Sequence, residues 1–565
     1  MDVWRTLTAA EIGQLTMQHN SADNWDDISV VSTFFVGDIY DCHFSGPVRL
    51  GERVSLRRVS LLHSCWLDDD CTLFNVGEID GDTPVQPFPI DVGNEDGSHT
   101  VTAHADMIMA DAVLCAMLPH DHALHQLDTS FPGREGYANY IASHVQIRNV
   151  LSLRTVWIEP YAVISEAAQL QNVYVHSSAE EPTIVGAGVI LRDVVLGYGN
   201  VVDTHAIVRE VVTGDSVTLT EGLRITHCVV GDNSHLSCCE VLFSLVFPFH
   251  EQHHNNSFLI ASTVMGQSNL AAGATIGSNH NGRKNDCEML ADRGFWPGLC
   301  TSVKFPSRFA AYTLLAKGDY PNEINLPYPF CLLNYNQADH VLEVMPAFWW
   351  RYNAYALQRN AAKYVDRDQR KHPRQHVHTQ PIAPDTVAQI IHALNRWQMG
   401  RKAFLQGVER SQHPVRLLKG NRCYGDYREM LLYYAYSHLK EEMEQSVAQL
   451  LPDVQNARLT EWFNLGGQLV PVAEVRELLV HPAATWQEMH ARYDSLWQQF
   501  PAHNRLMACF VLKYLCDGKP AREKIMLLAE EGREVTAAFE ERAREERRRD
   551  LASTFRRATQ NAIFD

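Results

Sequence analysis

The chain has 565 residues, 45% hydrophobic and 21% charged, the balance of a globular protein too long for one ordinary core. A formal charge of −18 speaks against nucleic acid as a partner, since such binders present basic faces to phosphate. Thirteen scattered cysteines without a CxxC suit buried thiols in a reducing cytoplasm. No signal-peptide pattern and no apolar run of about 18 residues is present, so no membrane partner is expected.

"LTAAEIGQLTMQHN" opens the chain with a capping box, Thr8 to Glu11, and predicts a short helix to about Met17. From about residue 44 a different texture begins. Val48, Val54 and Trp66 fall on a six-residue spacing. The period fails over 78–141, where "HADMIMADAVLCAMLPHDHALHQLD" reads as helix broken at Pro119. It returns through Val145, Leu151, Trp157, Val163 and Val175, with Gln169 the polar member of that register. It continues in Val189, Val195, Val201 and Ile207, in Val230, Leu236 and Leu242, and most cleanly in Phe258, Val264, Leu270 and Ile276.

A repeat of six is neither helical nor simply alternating. It supplies one flat side of a triangular coil, and three sides make a rung of about 18 residues with an apolar column inside. Glycines such as Gly188, Gly197, Gly214 and Gly273 are expected at the corners, where positive φ is needed. From Asp339, "DHVLEVMPAFWWRYNAYALQRNAAKYVDRD" reads as helical. "RKHPRQHVHTQPIAPD" reads as a polar linker, "WFNLGGQL" as a helix stop with a turn, and most of the rest as amphipathic helices.

"TIVGAGVILRDVVLGYGNVVDTHAIV" and "STVMGQSNLAAGATIGSN" resemble the hexapeptide-repeat proteins, whose fold is a left-handed parallel β-helix. "HHNNSFLIASTVMGQSNLAAGATIGSNHNGR", followed by "GFWPGL", is similar to an uncharacterised bacterial β-helix family with an appended helical domain. The fold class expected is mixed β and α, a left-handed parallel β-helix with a helical insertion and an all-α C-terminal domain. Residues 1–30 form a helical cap, 31–77 the first rungs, 78–141 the insertion and 142–338 the main β-helix. A helix and linker occupy 339–384, and the helical domain 385–565.

The densest chemistry is "GSNHNGR". The hexapeptide-transferase resemblance implies an acyl transfer to a sugar, nucleotide sugar or small amine, with acyl-CoA as an available donor and His280 as general base. Asn279, Asn281 and Arg283 are the neighbouring substrate-binding candidates, Arg283 for a carboxylate or phosphate. His253, His254 and Asn256 in "HEQHHNN" and Lys304 and Arg308 in "VKFPSRF" complete the expected site for an anionic or sugar-type ligand. No metal is assigned. His250, Glu251 and His254 match HExxH, but inside a β-rich stretch next to Pro248 that spacing does not make a zinc helix. His120, His122 and His125 read as a histidine-rich turn.

Two alternatives stay open. One is a carbonic-anhydrase-like metal protein with histidines shared between chains, and the other a non-catalytic scaffold. The resemblance also implies a homo-oligomer, a trimer before a dimer. No GxxxxGK[ST] loop occurs, which removes nucleotide kinases of that class.

Overall fold

The computed structural model describes residues 4–118, 122–277, 288–406, 408 and 414–554. It divides into two compact units. One takes Met1–Met289 with Gln369–Gln375, the other Leu290–Asp368 with His376–Asp565. Parallel β-solenoid strands run from residue 28 to 333, and the C-terminal region is helical.

In the first unit the solenoid strands pair in parallel, with a stride of seventeen residues through the middle of the coil and of sixteen or eighteen at single turns beyond it. Ile184 lies beside Val201, Val201 beside Thr218, and Thr218 beside His235. Each turn has three sides, as the strand Ile190–Leu196 shows. It pairs on both halves but skips Asp193, whose φ of +55° turns the chain through a corner. Glu210 and His227 occupy the same corner in the next two turns. Asp, Asn and His are the non-glycine residues that tolerate this conformation best.

The stride corrects the expected rung. Seventeen is not a multiple of six, so an inward register on one side becomes an outward one on another. The fully buried column is Leu191, Val208, Ile225, Val241, Leu259 and Ile276, each stacked on the last. Ile207, Leu242 and Phe258, one residue away from it, are only half-buried, and Leu151 is exposed. Val189, Leu236, Val264 and Leu270 are fully buried, as the period predicts.

Glycine also acts differently from expectation. Gly188 and Gly273 do stand at positive φ. Gly214 serves close approach instead, because a Cβ there would lie 2.8 Å from the Asp232 amide nitrogen and nearer still to its carboxylate.

The Thr8–Glu11 capping box is present on the helix Ala9–Met17. Residues 78–141 hold a hairpin, Pro89–Asp91 with Thr100–Thr102, and a buried helix, Met109–Ala116. His122 caps the short turn after it by accepting from the Leu124 amide at 3.2 Å, while His120 and Pro119 lie outside the described residues. The stretch Gln369–Gln375, read from sequence as linker, packs into the solenoid unit. Arg370 reaches Asp232 at 2.6 Å and Arg374 reaches Asp215 at 2.7 Å.

The second unit opens with coil-type pairs, Trp296–Pro297 beside Leu314–Leu315 and these beside Leu332–Asn336. Val341–Met345, expected as helix, is a strand antiparallel to Leu332–Asn336 and parallel to Val415–Leu417, where its apolar, β-branched residues fit a half-buried sheet. Helix begins at Phe348. "WFNLGGQL" is a hairpin and not a helix stop, with Gly466 and Gly467 at φ +67° and +114° in its turn. Among the described residues no helix is long and apolar enough to cross a membrane. The described cysteines are free thiols, all but Cys238 and Cys300 buried.

Candidate functional site

Side-chain alternation along two stacked strands builds the main cluster. His235–Ser237 pairs with Glu251–Gln252, placing Leu236 beside Gln252 and His235 beside Glu251. Leu236 and Gln252 are fully buried inside the coil, so His235 and Glu251 face outward, one turn apart. The chain then turns at His253–Asn256. That turn brings His253 Nδ1 to 3.0 Å from Glu251 Oε2 and its ring to 5.0 Å from that of His235. The His254 ring lies 4.6 Å from His253. One ligand-capable atom from each of His235, Glu251 and His253 falls within 4.8 Å of the others.

A polar lining behind the cluster fixes the turn. His250 is fully buried, with Nε2 3.2 Å from Gln252 Oε1. Gln252 Nε2 donates to Ser257 Oγ at 3.2 Å, and that hydroxyl donates to the His254 carbonyl at 3.1 Å. Burial pushes His250 down to about 4, so it stays neutral at pH 7. His250 and Glu251 therefore lie on opposite sides of the coil wall, and the HExxH spacing assembles no zinc helix. Asn256 is exposed at a corner with φ +61°, a position that asks for its tolerance of left-handed backbone.

A second polar group lies beside the next strand of the coil. Thr275 and Ile276 stack on Phe258 and Leu259, and Met289 donates its amide to Ala261 at 3.1 Å. Asn279, His280, Asn281 and Arg283, between them in sequence, lie outside the described residues. Next to Met289, Glu288 accepts from Asn94 Nδ2 at 2.8 Å and meets His99 Nε2 at 2.8 Å. His99 Nδ1 lies 2.8 Å from the Ala116 carbonyl. The Glu288 hydrogen bond raises the His99 pKa, and His99 in turn holds Glu288 below the usual carboxylate range. With both ring nitrogens engaged and its charge favoured, His99 is an anchor and not a base.

The "VKFPSRF" groups belong to the second unit. Lys304 Nζ is 3.1 Å from Glu323 Oε1, and Arg308 is exposed on a strand beside Asn325. Trp296 packs edge-on against buried Trp349 at 5.2 Å, so the aromatics of "GFWPGL" serve packing.

His235 and the His99–Glu288 pair are what sequence reasoning missed. His235 precedes Glu251 by one coil, a relation visible only once the stride is known. Nothing in the residues around His99 announces a partner 189 positions away.

The chain resembles known proteins in three respects. A protein of Treponema pallidum (strain Nichols), titled "Uncharacterized protein", is 33% identical over 592 residues, covering 90% of this chain and 82% of its own length. In structure, the UDP-N-acetylglucosamine O-acyltransferase of Moraxella catarrhalis matches 46% of this chain and 92% of its own, with 12% identity and a TM-score of 0.21. A family model described as "Domain of unknown function (DUF4954)" matches residues 51–398, more than half of the sequence, and the chain belongs to that family.

Proposed function

We propose that this chain is an acyl-transfer enzyme with His253 as general base. Support for the reading comes from one arrangement, His253 Nδ1 held 3.0 Å from Glu251 Oε2 on a side chain that keeps about a third of its surface exposed. The carboxylate's negative charge beside Nδ1 favours the tautomer with the proton on that nitrogen and leaves the Nε2 lone pair as the base. That nitrogen removes the proton from an acceptor hydroxyl or amine as it attacks the acyl carbonyl. The carbon–sulfur bond of an acyl-CoA-type donor breaks, and the thiol leaves. The acceptor class is a sugar, nucleotide sugar or small amine, with His254 and Asn256 at the rim and Asn279, Asn281 and Arg283 as further binding groups. His280 is the competing base. The working form in this reading is a cytoplasmic homotrimer.

Thiol release by the full chain, measured over a panel of acyl donors and acceptors, tests the reading. His253→Ala is expected to lower turnover roughly a hundredfold or more. Glu251→Gln should lower it less, since the imidazole is kept and only its orientation suffers. Loss in His280→Ala with His253→Ala unaffected moves the base to His280. No acceptor-dependent release from any pair overturns acyl transfer.

A second reading rests on the closeness of His235, Glu251 and His253. Two imidazoles and a carboxylate are a ligand set for zinc that leaves a position for water or substrate. His253 would then be a ligand. Cobalt titration separates the two: visible tetrahedral bands that vanish in His235→Ala establish the metal site, and their absence leaves the base. With neither turnover nor metal uptake, the solenoid is a scaffold.

A further inference from the structure

The second unit carries a groove whose chemistry the proposed function does not use. The helix Ala354–Asp366 presents Tyr355, Arg359 and Lys363 at four-residue intervals, and Arg367 continues the stripe. Gln358, Ala362 and Asp366 form the adjoining stripe, and Arg547 faces both from the helix Arg522–Ala552. Together these eight residues line a cavity of about 460 Å³. That size suits a small-molecule ligand.

Its charge departs from the rest of the chain. Four cations and one carboxylate line the groove, in a protein of net charge −18. A solvated helix face is the ordinary explanation for arginines, and it does explain the neighbours of Arg547. Arg544 is tied to Glu540 and Glu541, Arg548 to Glu541, and Arg549 to Glu545, all along one helix. Arg547 instead turns to Tyr355, its guanidinium 5.7 Å from the ring. The preceding residue, Glu546, accepts the Tyr355 amide at 2.9 Å and so ties the first turn of the shorter helix to the longer one. The groove is held open between two fixed walls, with cations on both.

We infer that this groove binds a small phosphate-bearing anion of about nucleoside-diphosphate size. Guanidinium forks match phosphate oxygens in pairs, and three cations on one wall facing Arg547 on the other match a ligand with two phosphates better than a single carboxylate. The Tyr355 ring and the Gln358 amide stand in the same groove, apolar and polar surface for whatever the phosphates carry.

Titration calorimetry of the full chain with inorganic pyrophosphate and with ADP tests the inference. Both should bind, ADP more tightly, and affinity should fall as salt rises. Arg359→Ala and Arg547→Ala should each weaken binding about tenfold, and the double charge reversal Arg359→Glu with Arg547→Glu should abolish it. Both arginines are exposed, so the fold is expected to survive, with an unchanged circular-dichroism melt as the control. Absence of pyrophosphate and ADP binding overturns the inference. So does binding that both substitutions leave intact, or binding confined to acidic lipid vesicles.

Discussion

His250 shows how one buried side chain sets a pH response. Its imidazole is enclosed in the coil wall, and burial lowers its pKa from 6.5 to about 4. A histidine with a depressed folded pKa binds its proton more readily when unfolded. Its neutral form therefore supports folding fully above pH 6.5, and that support is lost as pH falls from about 6.5 toward 4. At ~1.4 kcal/mol per unit the loss approaches about 3 kcal/mol at the acid end. Melting temperatures between pH 7.5 and 4.5 should fall in the wild type and fall less in His250→Gln. Equal slopes would show that the ring titrates elsewhere. The His99–Glu288 pair has the opposite sign. Its raised histidine contributes below the unfolded pKa and loses that contribution as pH rises through the folded one. Both partners are well exposed, so its part is small. Residue-scale chemistry was half legible in sequence. "HEQHHNN" stood out as unusual, but which of its members faces outward depended on strand alternation, and His235 was hidden one coil earlier.

Elements were more legible than residues, because burial leaves a periodic trace. Val264 and Leu270 were identified by spacing alone and are fully buried. The exact stride was not legible, since a period of six and a turn of seventeen agree over one or two sides and diverge after that. Val264→Asp buries an unpaired carboxylate in the coil and should cost several kcal/mol or prevent folding. Gly214→Ala is a sharper test of stacking. Its methyl group would press on the Asp232 backbone and carboxylate in the next turn, neither of which is the loose end of a flexible chain. It would also disturb the Asp232 hydrogen bond to the Asp215 amide, 2.9 Å long. Equilibrium denaturation should show a loss of about 1–3 kcal/mol, as for overpacked cores. A neutral result would mean that the turns slide apart at little cost.

At the scale of the whole chain, composition predicted a multi-domain protein but misread the stretch 369–375. Its charges and proline look like a linker because sequence shows no partner for them. The partners are Asp215 and Asp232, more than 130 residues upstream and both buried in successive turns of the solenoid. Arg370 and Asp232 are each only 4% exposed, so this is an internal ion pair and not a surface one. Removing one partner of such a pair costs about 3–5 kcal/mol, because the remaining charge stays buried. Asp232 adds a pH signature. Burial outweighs Arg370 and raises its carboxyl to about 6, so the folded state holds its proton more tightly than the unfolded chain. Its ionisation therefore opposes folding as pH climbs from about 4 through 6. Without the guanidinium, the folded pKa rises further and the window extends upward. Arg370→Met should thus show its largest stability deficit near pH 8 and recover much of it near pH 5, where the orphaned carboxyl is protonated. Denaturation curves of wild type and variant at the two pH values measure this directly. A deficit that is the same at both would mean the segment is held by packing and backbone hydrogen bonds, with the ion pair contributing little.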